Sequence, residues 1–161
     1  MSDSGIQAKD LTREDEQELD EFRERCQEWV ALLLDRPIGR SPSIQQLHEA
    51  FDRWVDYHNA MSKRSFFRKK KEPAISPDIV AISLGTVLGD HIINATPLEW
   101  KLVTDSYGTC KRLYATGSFG EYAHIILDPH SMAMKRAVNK SHGWLEPTFH
   151  ASVEHVLRAT S

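Results

Sequence analysis

The sequence predicts an α+β fold: a helical N-terminal pair and a third helix packed on a three-stranded antiparallel meander, with one or two C-terminal helices. Three observations lead to this prediction. Apolar residues recur every three or four positions through most of residues 12–95, which is typical of amphipathic helices. They alternate with polar residues after position 97, as in half-buried strands. Three pairs place a capping side chain before a proline and so mark helix starts: Ser41-Pro42, Ser76-Pro77 and Asp128-Pro129.

The first helix is predicted to run from Thr12 to about Leu34. Thr12 is a capping residue, and acidic residues such as Asp15 in the first turn favour the helix dipole. One face of this helix is apolar and carries Leu19, Phe22, Cys26, Trp29, Val30 and Leu33. Residues 1–11 are polar, and we expect them to be disordered.

The second and third helices follow from the next two capping signals. The second is predicted to begin at Ser41-Pro42, to continue to about Ala60 and to lie antiparallel to the first. The third begins at Ser76-Pro77 and carries Gly85 and Gly89 four residues apart on one face. Each glycine costs roughly 1 kcal/mol relative to alanine in a helix interior. The two glycines therefore predict that another element packs closely against this face.

Three strands are predicted after Pro97. Trp100 lies in the first of them, and the segment from Asp105 to Gly108 has the residues that a type I turn prefers at its first and fourth positions. The chain is expected to return over residues 109–115, turn again over 117–120 and form a third strand over 121–127.

Two C-terminal helices complete the prediction. Asp128 is expected to cap a short helix that starts at Pro129 and runs through Val138. A last helix is predicted around Phe149 and Val156. We found no internal repeats.

Length and composition limit the class of protein. The 161 residues fit a single domain spanning residues 1–161. Cys26 and Cys110 stand in no paired motif, which suits a reducing compartment, although the sequence leaves open whether they pair. The N-terminus lacks the features of a secretory signal, and the apolar run at residues 29–34 is too short to cross a bilayer. We therefore expect a cytoplasmic protein without a membrane span.

Charge is distributed unevenly along the chain. Residues 1–35 carry eleven acidic and four basic side chains, whereas residues 36–71 carry nine basic and three acidic ones. Residues 62–75 are predicted to be a basic loop or linker, and its candidate binding residues are Lys63, Arg64, Phe66, Phe67, Arg68, Lys69, Lys70 and Lys71. Clustered cations neutralise phosphates, and aromatic rings stack on bases or enter a membrane interface. The favoured alternative is a solvated connector attracted to the acidic first helix.

Signals for catalysis or metal binding are weak. His142, His150, Glu154 and His155 cluster in sequence, but their spacing matches no known zinc site, so we predict no metal and no cofactor. Cys110 could act as a nucleophile if His124 on the neighbouring strand lay beside it. A cysteine in a strand is more often a small buried apolar residue. An enzymatic role is therefore the less favoured alternative.

The four tryptophans are predicted to serve two purposes. Trp29, Trp54 and Trp100 fall on periodic apolar faces and are interpreted as core residues. Trp144 follows Gly143 in a loop, and an exposed tryptophan there would be a natural anchor for a partner.

The segment from Leu84 to Arg136 resembles a known family. Leu84-Gly85-x-x-x-Gly89, Glu99-Trp100, Asp105-x-Tyr107-Gly108, Asp128-Pro129-x-Ser131-Met132 and Lys135-Arg136 together resemble the bacterial domain of unknown function 3806 family. The resemblance covers roughly residues 77–140. It implies a bacterial cytoplasmic origin and an uncharacterised α+β domain, and it implies no catalytic residues. The basic loop and the histidine-bearing C-terminal segment lie outside the part that can be matched.

Structural explanations account for nearly every distinctive residue, including Gly85, Gly89, Trp100, Asp105, Gly108, Asp128 and Pro129. We therefore expect a small non-enzymatic binding module with a protein partner, acting as a regulatory or neutralising protein. The first alternative is a binder of polyanions, either nucleic acid or an anionic membrane, through residues 63–71. The second is a hydrolase-like enzyme that uses Cys110 or the histidines.

Overall fold

The computed structural model describes residues 5–64, 75–120 and 122–161, and in these ranges it contains five helices and a four-stranded antiparallel sheet. The elements in chain order are β1 (Gln7–Lys9), α1 (Arg13–Leu34), α2 (Ile44–Arg64), α3 (Pro77–Ala95), β2 (Glu99–Asp105), β3 (Gly108–Phe119), β4 (Tyr122–Leu127), α4 (Pro129–Asn139) and α5 (Leu145–Thr160). The predicted α+β fold is confirmed.

Three helices begin where the sequence predicts, because a side chain caps each start. Thr12 and Asp15 form a capping box in which the Thr12 hydroxyl accepts from the Asp15 amide at 3.2 Å and the Asp15 carboxylate accepts from the Thr12 amide at 2.9 Å. The Ser76 hydroxyl accepts from the Ile79 amide at 3.2 Å. Asp128 likewise caps α4. Each cap satisfies an amide that has no partner inside its helix.

The start of α2 differs from the prediction. The helix begins at Ile44, and Ser43 rather than Ser41 occupies the capping position. The Ser43 hydroxyl accepts from the Gln46 amide at 3.1 Å, and the Gln46 side chain accepts from the Ser43 amide at 2.9 Å. This reciprocal box satisfies two backbone donors, which explains the choice of serine. At its other end α2 reaches Arg64 instead of ending near Ala60.

The sheet has one more strand than predicted. Residues 7–9, expected to be disordered, form β1 and pair antiparallel with β2, with Gln7 opposite Thr104 and Lys9 opposite Leu102. The strand β1 forms only by pairing with the outer edge of β2. The Asp10 carboxylate, next to β1, accepts a hydrogen bond from Lys101 Nζ on β2 at 2.5 Å and so holds β1 against the sheet. Three residues are too few to show an alternating pattern in the sequence. The resulting strand order is β1-β2-β3-β4.

The two hairpins agree only partly with the predicted turns. The chain reverses between Asp105 and Gly108 as predicted, and the Asp105 carboxylate accepts from the Tyr107 amide at 2.8 Å. The second reversal comes later than predicted, because β3 continues to Phe119 and the turn falls at Gly120, where φ is 61°. An irregularity between Thr116 and Phe119 accommodates one extra residue of β3 and lets this strand stay paired with β4.

The core surrounds α3, which contacts α1, α2, α4 and α5. Ten of its residues are buried. By length and composition alone, α3 is long and apolar enough to cross a membrane. The buried central helix of a globular fold meets the same two criteria. Trp29 and Trp54 are buried beside it, and their indole nitrogens donate to the Ser83 hydroxyl at 2.8 Å and to the Ile75 carbonyl at 3.0 Å. Cys26 and Cys110 are both unpaired.

Candidate functional site

The two glycines of α3 mark the place where three elements meet. A Cβ atom added to Gly85 would lie 2.8 Å from the Cα atom of His130 at the start of α4. A Cβ atom added to Gly89 would overlap the indole ring of Trp100 on β2. Only glycine lets both α4 and β2 come this close to α3. The close packing inferred from these glycines therefore joins α3 to the two elements that carry Trp100 and His130.

Trp100 and His130 stack on each other at this junction. Their ring centroids are 5.3 Å apart and their planes differ by 22°. His130 Nε2 lies 2.9 Å from the Thr86 hydroxyl, which itself donates to the Ile82 carbonyl at 2.9 Å. Because the hydroxyl has a single hydrogen, it accepts from His130, and Nε2 carries the proton. Burial lowers the pKa of His130 below its ordinary value, and the nearby Lys111 lowers it further against the opposing effect of Asp128.

An ion pair fastens α1 to the same junction. The Arg23 guanidinium donates to both oxygens of Asp90 on α3, from Nε at 2.7 Å and from Nη2 at 2.8 Å. The Trp100 indole nitrogen also donates to Asp90, at 3.0 Å. Asp90 raises the pKa of Arg23, so the guanidinium stays charged. Charge-assisted hydrogen bonds thus join α1, α3 and β2 through Arg23, Asp90 and Trp100.

A second polar cluster centres on Arg112 in β3. Its guanidinium donates to Asp105 at 2.5 Å and to Asp128 at 3.3 Å. Asp128 at the same time caps α4 by accepting from the Ser131 amide at 2.9 Å. The hydrogen bond from Arg112 lowers the pKa of Asp105. Arg112 therefore links the hairpin turn to the start of α4.

Among the clefts on the surface of the described residues, three have volumes between about 370 and 610 Å³. The most apolar, here called the α1–α3 cleft, has a volume of about 370 Å³ and is lined by Arg25, Glu28, Trp29, Leu32, Ile75, Ser76 and Ile79. Leu32 and Ile79 are 63% and 40% exposed, although both side chains are large and apolar. The second cleft, of about 470 Å³, lies beside Arg23 and Trp100. The third, of about 610 Å³, lies near Lys101, Tyr114 and Thr160.

The predicted basic loop lies mostly outside the described residues. Lys63 and Arg64 are the last two residues of α2 and not part of a loop. Phe66, Phe67, Arg68, Lys69, Lys70 and Lys71 lie outside the described residues. Ile75 and Ser76, where the described chain resumes, line the α1–α3 cleft.

The prediction that Trp144 is an exposed anchor is wrong. Its side chain is only 6% exposed and packs edge-on against Phe51, with ring centroids 5.6 Å apart. The loop is drawn onto α2 because the Gly143 amide donates to Asp52 at 2.9 Å and His142 contacts Asp56 at 2.7 Å. The buried indole nitrogen has no hydrogen-bond partner among the described residues. Trp144 is a core residue.

The structure does not bring His124 beside Cys110, which was the condition for an activated thiol. His124 lies opposite Thr116, six residues along β3 from Cys110, a separation of about 20 Å at strand spacing. Burial raises the pKa of the Cys110 thiol, which disfavours the nucleophilic thiolate.

The histidines and the glutamate of the C-terminal cluster contact different partners. His142 contacts Asp56, His150 lies 3.8 Å from Glu146, and Glu154 pairs with Arg158. Within the described part of the chain, no three His, Cys, Asp or Glu side chains are arranged to hold a metal ion.

The fold and these clusters define an α+β protein in which a central helix is clamped between α1, β2 and α4. The chain belongs to the family described as Domain of unknown function (DUF3806), whose model matches residues 62–147, more than half of the chain. The family resemblance is confirmed, and the match is wider than expected because it includes the basic stretch and Trp144. No curated protein and no solved structure is similar enough to this chain to count as a match.

Proposed function

We propose that this protein is a cytoplasmic protein-binding module that takes its partner in the α1–α3 cleft. The observation that carries the proposal is the pair of exposed aliphatic side chains, Leu32 and Ile79, on an apolar cleft. Large apolar side chains that line a concave surface are typical of protein contacts. The unpaired cysteines are consistent with a reducing compartment.

The basic stretch that precedes Ile75 in the sequence supports a particular kind of partner. The stretch from Lys63 to Lys71 carries six bases in nine positions and ends four residues before Ile75, which lines the cleft. A partner segment with Leu- or Phe-type side chains and flanking acidic residues would satisfy both features, since apolar groups would fill the cleft and carboxylates would meet the bases. We therefore propose that the partner is an acidic amphipathic segment of another protein.

The test compares variants that alter the cleft with a matched control. Immobilised wild-type protein, Leu32→Asp, Ile79→Asp and Val138→Asp are exposed to extracts of cells that encode the chain. Val138 lies on α4 and is 65% exposed, close to the 63% of Leu32, so it controls for a new surface charge. We expect a protein retained by the wild type and Val138→Asp but lost with both cleft variants. Equal retention by all four proteins would exclude the cleft.

Binding of a polyanion is the second candidate, and the density of bases from Lys63 to Lys71 favours it. Basic side chains release counterions from phosphates, so binding weakens steeply as salt rises. Replacing Lys69, Lys70 and Lys71 by alanine should weaken binding to a single-stranded oligonucleotide and flatten its salt dependence. Binding that is unchanged by the substitutions and insensitive to salt would rule out this candidate.

A further inference from the structure

The two edges of the sheet differ in a way that bears on assembly. The β1 edge is three residues long, includes Lys9 and ends at the Asp10–Lys101 ion pair. The β4 edge is six residues long, from Tyr122 to Leu127, and its sequence contains no charged residue, proline or glycine. Short, charged edges resist pairing with another chain, whereas long uncharged edges favour it. The β4 edge is therefore the one suited to contact.

The backbone of β4 is paired on one side only. Its pairing in the sheet is with β3, through Leu127 opposite Leu113 and His124 opposite Thr116. Among the described residues, no other backbone hydrogen bond involves residues 122–127. Among the residues that the structure describes, the amide and carbonyl groups on the outer side of β4 therefore have no backbone partner. A row of such groups at strand spacing is complementary to another extended strand.

We propose that β4 is a dimerisation edge, on which β4 of a second copy of this chain adds antiparallel to give a continuous eight-stranded sheet. A second copy presents the same uncharged strand, so no like charges oppose each other across the new ladder. A two-fold axis perpendicular to the sheet makes the contact self-complementary and closed. It also leaves the helices of both copies on the same face of the joined sheet.

The side-chain alternation of β4 limits the register. Directly opposed residues in an antiparallel pair point to the same face, so each residue must meet one of the same parity. Ile125 is 9% exposed and belongs to the core. Placing the axis at Ile125 puts this residue against Ile125 of the second copy and His124 against Ile126 of the second copy. Placing it at His124 would oppose two imidazoles, so we assign the register centred on Ile125.

The first test measures mass as a function of concentration. Sedimentation of the wild type should shift from the 18.4 kDa monomer toward twice that mass as concentration rises. Ala123→Lys, at an exposed position of β4, should remain monomeric because it sets a charge against Leu127 of the second copy. Tyr107→Lys adds the same charge to the 93% exposed hairpin turn and should dimerise like the wild type. A monomeric wild type, or an Ala123→Lys dimer, would overturn the proposal.

The second test addresses the register and does not depend on Ala123→Lys folding. In a Cys110→Ser background, protein carrying His124→Cys is mixed with protein carrying Ile126→Cys and oxidised. Directly opposed Cβ atoms lie about 4.5–5.5 Å apart, close to the roughly 3.5–4.5 Å that a disulfide joins, and no other pair of these positions is as close. A mixed disulfide dimer should therefore form in preference to either homodimer. Absence of the mixed dimer would contradict the assigned register. Leu32→Asp should dimerise normally, so failure of the cleft proposal and failure of this one can be distinguished.

Discussion

Gly85 lies on the face of α3 that meets the start of α4, with no room for a side chain. A Cβ atom there would lie 2.8 Å from the His130 Cα atom and 2.9 Å from the Pro129 carbonyl oxygen. Both atoms belong to the backbone, so α4 would have to move. Gly85→Ala gains about 1 kcal/mol in helix propensity but overpacks the junction at a cost of about 1–3 kcal/mol. We expect a net loss of about 1 kcal/mol in the free energy of unfolding.

Gly39→Ala is the matched control, because nothing lies within 4 Å of a Cβ atom at that position. Its free energy of unfolding, measured by chemical denaturation, should differ from the wild type by less than about 0.5 kcal/mol. If Gly85→Ala were as stable as Gly39→Ala, the close contact between α3 and α4 would be incorrect.

His130 should make the stability of the protein depend on pH. Burial lowers its pKa in the folded state, whereas the unfolded side chain has the ordinary value of 6.5. The unfolded chain therefore binds more protons than the folded one below that value, so the free energy of unfolding decreases as pH falls through 6.5 and toward the folded pKa. Above 6.5 this contribution is constant. His130→Gln keeps a donor for Thr86 but does not titrate, and it should flatten the dependence between pH 7 and about 5.

His155→Gln serves as the comparison, since His155 is an exposed residue of α5. Denaturation curves at a series of pH values should give the same slope for His155→Gln and the wild type. A slope that persists in His130→Gln would assign the pH dependence to other groups.

The sequence predicts the local role of several residues but not the contacts that join them. The sequence predicts that Asp105 lies in a turn and that Asp128 caps a helix, and both predictions follow from neighbouring residues in the chain. Arg112, which contacts both carboxylates, could not be found this way because strand pairing and the start of α4 bring it there. The Arg23–Asp90 pair spans 67 positions and carries no local signal either.

At the scale of single elements, the cap of α2 gives a direct comparison between two serines. Ser43 exchanges two hydrogen bonds with Gln46, whereas Ser41 precedes the helix by three residues. Ser43→Ala should lower the free energy of unfolding by about 1 kcal/mol, the usual effect of removing a cap. Ser41→Ala should leave it unchanged in the same denaturation experiment. If Ser41→Ala lowered the free energy of unfolding and Ser43→Ala left it unchanged, α2 would begin at Ser41-Pro42, as the sequence predicts.

Helices were predicted better than strand ends because their signals are local. A cap, a proline and a repeating apolar face all lie within one segment, as at Ser76 and Asp128. The strand β1 was missed because it exists only through pairing with β2, which is distant in sequence. The burial of Trp144 has no local signal for a similar reason: the glycine beside it indicates a loop, but polar contacts with α2 bring that loop onto the core.

At the scale of the whole molecule, part of the acidic N-terminal region forms ion pairs with basic residues of the sheet. Lys111 on β3 pairs with Asp15 at 3.3 Å and with Glu18, both on α1. Lys101 on β2 pairs with Asp10. These bases belong to the sheet and not to the stretch from Lys63 to Lys71. The charge asymmetry of the sequence therefore reflects in part the attachment of α1 and β1 to the sheet.

Removal of β1 should change both stability and assembly, because β2 would become a second open edge. Deleting residues 1–9 takes Ala8 away from Val103, which is fully buried, and we expect the free energy of unfolding to fall by about 1 kcal/mol. With both β2 and β4 open, association should continue beyond a dimer to larger species, since no edge closes the assembly. Deleting residues 1–5 keeps β1 and should leave denaturation and sedimentation unchanged. A truncated protein that matches the full chain in both measurements would mean that β1 does not protect the sheet.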